Sequence, residues 1–221
     1  MQLKGEKMRR LALALTTALF CVGCCNTCSD TGLYEKTGQM KPIVAVLPVV
    51  DRTAGSGLPW DFAAEMTDEI RKRIYDSPRL YLLREGGTAE IALSLSCSNP
   101  YDIQPLALKD MGASEFLIVT EIVDQKQTPY GFHTAKTEET GAVLSVKMRV
   151  RVIDRRNPEP KVLLQELIEC DHIVARPYLN TDYQKTQWGM DQFHNTPMGL
   201  AHSKIVRELV SHVEGYIVAA R

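Results

Sequence analysis

Four bases, Lys4, Lys7, Arg9 and Arg10, open the chain, Leu11 to Phe20 follow without a charge, and Gly23 stands directly before Cys24. An uncharged run of about 10–12 residues is too short for a spanning helix, which needs roughly 20. It fits the apolar core of an export signal, about 7–15 residues between a basic start and a small-residue cleavage site. This feature limits what the chain can fold into. Residues 1–23 are expected to leave as a signal peptide, and the folded body must be built from the rest.

A cysteine after the small residue makes the segment resemble a bacterial lipoprotein signal, cut before Cys24 and acylated on its sulfur and new amino group. The sequence departs from the usual pattern in one place: Cys21 stands where leucine is customary. Cys21 itself follows bulky Phe20, and Cys25 follows a residue less small than Gly23, so Cys24 is the expected acyl acceptor. One acyl chain, at roughly 0.8 kcal/mol per buried methylene, holds a protein only marginally, whereas two or three anchor it. The membrane, reached through acyl chains, is therefore the first expected partner, with the body facing the periplasm. Cys25 is not the inner-membrane-retaining aspartate, which leans the sorting toward the outer membrane. No later stretch reaches 18 apolar residues.

Beyond residue 23 the chain holds 198 residues, enough for one domain with its own core. It carries 22 Lys+Arg against 26 Asp+Glu, a net charge of about −4, which argues against nucleic acid as a partner. Residues 25–42 lack periodicity and are largely polar, so 24–42 is expected to be a lipidated flexible tether. A tether of that length spans on the order of 20–25 Å root-mean-square. Residues 43–221 are expected to form a single globular domain. Only Cys97 and Cys170 fall within it. An exported protein can oxidise such a pair, so a Cys97–Cys170 disulfide is one option and two free thiols the other. Cys25-x-x-Cys28 has no second ligand pair to complete a zinc site.

Ile43–Val50 is apolar on both faces, the mark of a buried strand, with Pro48 loosening its end. Pro59 suits the first turn of a helix, in which Ala63, Met66, Ile70 and Ile74 recur at helical spacing until Ser77-Pro78. Leu80–Leu83 reads as a strand, 88–97 and 103–111 as helices, and Glu115–Val123 as a strand. A polar loop over 124–140 precedes two strands, 142–154 and 162–174, joined by a Pro/Asn turn as an antiparallel hairpin. A long loop, 176–198, leads to a last helix with an apolar stripe at Ile205/Val206, Leu209, Val213, Tyr216/Ile217 and Ala220. The fold class is α/β (α+β): a mixed sheet of about five strands packed with four helices.

Ile43–Pro48 followed by Asp51-Arg52-Thr53 and Trp60, Met66–Ile70 leading to Arg79–Glu85, and Ala107–Ala113 before Phe116–Val119 together resemble the amino-terminal domain of the TolB type. Similar domains occur in the curli-secretion lipoprotein and in lipoprotein activators of penicillin-binding proteins. The match covers roughly residues 43–170. It implies a non-enzymatic envelope domain that recruits or oligomerises, with no catalytic residues to carry over.

The remaining residues offer little chemistry. Thr53–Gly57 lacks the lysine and spacing of a phosphate loop. No G-x-S-x-G elbow occurs. The five histidines show no metal-binding spacing and read as surface or loop residues, so no metal or cofactor is expected. Asp191 and His194, three residues apart, are a weak acid–base hint. Lys147, Arg149 and Arg151 share one face of a strand. They either pair across the sheet with acids such as Glu166 or Glu169, or offer a surface to an acidic partner, lipid head group or glycan. Trp188 and Phe193 mark the long loop either as pinned on apolar surface or as partner-binding. The expected role is a lipid-anchored binding or assembly factor of the bacterial envelope, with cell-wall or secretion machinery as the natural partners. A subunit of an envelope-spanning oligomer and a hydrolase with an unrecognised site are the alternatives.

Overall fold

The computed structural model describes residues 32–53, 57–83, 113–131 and 141–221. The expected acyl acceptor Cys24, the half-site Cys25/Cys28, Cys97 and the expected helices 88–97 and 103–111 lie outside these residues.

Among the described residues, a mixed sheet of six strands forms the centre. In chain order these are β1 (Ile43–Val46), β2 (Val50–Asp51), β3 (Tyr81–Leu82), β4 (Phe116–Tyr130), β5 (Gly141–Asp154) and β6 (Lys161–Ala175). The lateral order is β3-β1-β4-β5-β6, with β2 also pairing β4. β1 runs parallel to β3 and β4, while β4, β5 and β6 form an antiparallel ribbon. Pro48 does interrupt pairing: the expected single strand over 43–50 is two short ones, β1 and β2.

Two α-helices occur among the described residues, α1 (Phe62–Tyr75) and α2 (Pro197–Ala219). Asp61, not Pro59, starts α1: its carboxylate accepts the Ala64 N–H at 3.0 Å. Thr196 caps α2 by accepting the Gly199 N–H at 3.1 Å, and Pro197 occupies the first turn. Both helices lie on one sheet face. Met66, Ile70 and Ile74 of α1 and Ile205, Leu209, Val213 and Ile217 of α2 meet Val44, Val46, Ile118, Met148 and Val150, all fully buried. Each such side chain contributes about 1.5–3 kcal/mol by leaving water. Tyr216, expected on the α2 stripe, is instead 48% exposed. The stripe is one residue narrower there because Ile217 alone reaches the sheet. The opposite sheet face carries a second apolar cluster of Ala45, Leu47, Leu117, Val119 and Ile153.

Two expectations are corrected. Residues 124–130 are strand, not loop: β4 pairs with β5 as far as Tyr130↔Gly141, beyond a bulge between Ile122 and Asp124. The polarity of Asp124 to Thr128 reflects a ribbon that faces solvent, which composition alone renders as loop. Residues 33–41, assigned to the tether, fold against the domain. Tyr34 and Met40 form an antiparallel bridge, and Gly38 (φ 82°) closes the turn by donating its N–H to Glu35 O at 2.9 Å. The left-handed glycine supplies the conformation a tight hairpin loop requires. Arg221 fixes the hairpin through Glu35 at 2.5 Å and through the Met40 carbonyl.

The parallel strands give the domain a base and a distal end. The base gathers the starts of β1, β3 and β4, the β5–β6 turn and the end of α2. There Arg156 lies 4.7 Å over the Phe116 ring, pairs with Asp154 at 2.6 Å and caps the Ala220 carbonyl at 3.0 Å. The distal end gathers Tyr130, Gly141, Ala175 and the loop that follows β6.

Candidate functional site

The strand β5 places Lys147, Arg149 and Arg151 on one face, as the alternation requires, but each is engaged. Lys147 meets Glu169 at 2.7 Å, and their hydrogen bond pushes the lysine pKa up. Arg149 reaches Glu121 at 3.4 Å, and Arg52 holds the same nearly buried carboxylate at 3.0 Å. Arg151 donates to Gln165 Oε1 at 3.1 Å. The strip is a balanced polar face, not a basic patch. Glu166 takes no part in it. The register sets Glu166 opposite Val150, on the helix side, where it accepts from His212 Nδ1 at 2.9 Å.

The loop after β6 is pinned down. Phe193 is 1% exposed and packs edge-on against Trp60, with ring centroids 5.2 Å apart. Leu144, Val174, Met198 and Ala201 join it, and Trp188 and Tyr183 pack at the margin of this cluster. Phe193 therefore offers no surface to a partner, and Trp188 is half-buried. Gly199 lets the loop approach α2: a Cβ there would stand 2.2 Å from the Phe193 carbonyl oxygen. Asp191 and His194 are both exposed, and no hydrogen bond joins them among the described residues. Cys170 is a free, buried thiol whose pKa burial pushes up, which leaves it protonated and a poor nucleophile.

The pair that most resembles an acid–base couple lies elsewhere. His202 Nδ1 donates to Glu65 Oε1 at 2.7 Å, and Trp60 Nε1 donates to Glu65 Oε2 at 2.8 Å. The second imidazole nitrogen meets the Gln125 amide nitrogen at 3.3 Å, and the ring stacks on Phe62 at 4.6 Å. Glu65 is 0% and His202 1% exposed. Both carboxylate oxygens and both ring nitrogens are used, so the network ties α1, α2 and β4 together out of reach of solvent. Neither residue was expected here: the histidines read as surface or loop residues, and Glu65 was not singled out. The signal was present, since Glu65 falls between Phe62 and Met66 and His202 between Met198 and Ile205 on the buried stripes.

Solvent-facing relief lies between and beside the helices. A groove of about 820 Å³ runs between α1 and α2, with Val206 and Val210 in its floor and Lys72, Arg73, Arg79 and Arg207 along its walls. Glu69, Asp76 and Glu214 interleave with these bases, so the groove is of mixed charge. β6 closes the sheet order, and on the face it shares with Lys147 and Arg149 it carries Leu167 (53% exposed) and Ile173 (62%). Lys204 covers one carbonyl beside this strand, Asp171 O, at 2.9 Å. A lysine so placed is a common guard against unplanned strand pairing.

Comparison with known proteins matches the family model described as "Family of unknown function (DUF7499)" to residues 30–221. No curated protein matches. Among solved structures, the hypothetical protein CT253 from Chlamydia trachomatis is 31% identical with a TM-score of 0.62, covering 81% of this chain and 99% of its own. Lipoprotein GNA1162 from Neisseria meningitidis is 13% identical with a TM-score of 0.40, covering 80% of this chain and 99% of its own. The uncharacterized lipoprotein B from Nitrosomonas europaea is 12% identical with a TM-score of 0.42, covering 81% and 86%. At those two scores nothing passes from the lipoproteins to this chain. The family match begins at residue 30, beside the hairpin that the structure adds to the domain, and it runs through the last helix. The chain belongs to the DUF7499 family.

Proposed function

We propose that this protein is a lipid-anchored component of the bacterial envelope that binds or assembles other envelope proteins without catalysing a reaction. The carrying observation is the fate of the Glu65–His202 couple. Of the two His–carboxylate pairs among the described residues, Glu65–His202 is sealed and spent on holding α1 to α2, while His212–Glu166 lies on open surface with no further polar group bonded to it. Catalysis needs such a couple both within reach of a substrate and oriented by converging groups. What faces solvent is an open groove and a sheet face with exposed Leu167 and Ile173, relief suited to contact with a macromolecule.

The order basic–apolar–Gly23–Cys24 supports the anchor, and the resemblance of residues 43–170 to TolB-type domains supports the recruiting role. The outer membrane is the favoured location because Cys25 follows the acylated residue. Lys147 and Arg149 contribute to a partner surface as ion pairs shared with Glu169 and Glu121, and Arg151 through its hydrogen bond to Gln165.

The test combines fatty-acid labelling with photo-crosslinkers at Leu167, Ile173 and Arg207 in native cells. The reading expects label and membrane fractionation to be lost in Cys24→Ser. It expects at least one crosslinker to capture a discrete envelope protein from the acylated chain. Full retention of label by Cys24→Ser, or turnover of a small substrate by purified protein that is abolished by His212→Ala, would contradict it.

A further inference from the structure

The hairpin over residues 33–41 exposes the two residues that form its bridge, Tyr34 at 58% and Met40 at 43%. Residues directly opposite each other in an antiparallel pair project to the same side, with Cβ atoms about 4.5–5.5 Å apart. An aromatic and a flexible apolar side chain thus form one small projecting surface. Lys36, at the turn between them, is exposed and makes no ion pair among the described residues. The hairpin is rigidly mounted: Glu35 binds Arg221 at 2.5 Å, Lys41 N donates to Leu33 O at 2.8 Å, and Lys41 is buried. Arg221 follows the end of α2, whose Ala220 carbonyl Arg156 holds. The surface therefore belongs to the base of the domain.

We infer that this hairpin is a membrane-contact foot, with Tyr34 and Met40 seated at the head-group boundary of the bilayer and Lys36 on its anionic lipids. The inference rests on the proposed acylation of Cys24. Eight Cα–Cα steps separate Cys24 from Gly32. They extend at most about 28 Å and, as a flexible chain, about 16 Å root-mean-square. The acyl chains consequently hold the base of the domain against the bilayer, and the hairpin is the element of the body nearest to the anchor in sequence. Tyrosine with its wet hydroxyl and lysine with its long stem are the side chains that favour this zone. One end of the domain then meets lipid, while the distal end, where β4 and β5 pair at Tyr130 and Gly141, points into the aqueous space.

The experiment uses the acylated mature protein in vesicles of phosphatidylethanolamine and phosphatidylglycerol, with and without brominated acyl chains. Tyr34→Trp adds one emitter to Trp60 and Trp188, which sit at the distal end. Tyr178→Trp, at a site 62% exposed beside the distal loop, is the control. Brominated lipid is expected to quench the emission added by Tyr34→Trp at least twofold and to leave the Tyr178→Trp increment unchanged. Equal quenching at both sites, or none at position 34 while the protein floats with the vesicles and carries fatty acid, overturns the foot and leaves the anchor standing. If the protein neither carries fatty acid nor floats, the anchor itself fails and the foot with it.

Discussion

The imidazole of His202 and the carboxylate of Glu65, 137 residues apart in sequence, meet at 2.7 Å in a space closed to solvent. Removing Glu65 leaves His202 buried without its partner and takes the acceptor from the Trp60 N–H. Glu65→Ala should therefore destabilise the domain by about 3–5 kcal/mol in urea unfolding. Glu65→Gln keeps one oxygen, which accepts from Trp60 Nε1, and presents its amide N–H to His202 Nδ1, so it should lose less than half of that. A double variant, Glu65→Ala with His202→Ala, should cost clearly less than the two single changes added together, because the two residues act as one unit.

Ile70 is fully buried between α1 and the sheet. Ile70→Ala should cost about 2–5 kcal/mol by removing buried surface and leaving a cavity. The denaturant midpoint should fall while the slope stays constant.

Asp154 is held below its usual pKa of 3.8, first by the hydrogen bond from Arg156, with burial opposing. A carboxyl whose folded pKa is depressed stabilises the fold fully above its unfolded pKa and loses that contribution as pH falls through the folded value. Arg156 also caps α2 and lies over Phe116, so Arg156→Gln should cost about 1–2 kcal/mol at pH 7. The gap between the variant and the parent should narrow below pH 3.8 and hold steady across the neutral range. Unfolding curves taken at closely spaced pH values check both statements.

Gly199 is required by proximity, since an added Cβ would strike the Phe193 carbonyl oxygen at 2.2 Å. Gly199→Ala should push the loop outward and expose Phe193 and Trp188. Tryptophan emission should shift to the red and cleavage by a protease within 176–196 should accelerate. Thr196→Ala removes the cap of the same helix and should cost about 1 kcal/mol.

Periodicity revealed α1, α2 and the long strands because each buries a single face: Met66, Ile70 and Ile74, or Val146, Met148, Val150 and Val152, repeat at the period of their element. It failed where burial and polarity part company. Asp124 to Thr128 are strand residues whose side chains face water or a polar network, so no apolar alternation marks them. Glu65 and His202 are polar residues on apolar stripes, and only a partner 137 positions away makes their burial tolerable. The Tyr34–Met40 hairpin is held by hydrogen bonds and by Arg221, neither of which leaves a pattern in composition. The basic strip was legible in part: the shared face of Lys147, Arg149 and Arg151 followed from alternation, but their partners depended on register, which chose Glu169 over Glu166.

Mass spectrometry of the amino-terminal peptide, taken from protein purified from its native membranes, tests the account most directly. The account predicts a peptide that begins at Cys24 and carries the mass of a thioether-linked diacylglycerol, with a further acyl group on the amine. An unmodified peptide that begins at Met1, from protein recovered in the soluble fraction, would contradict it.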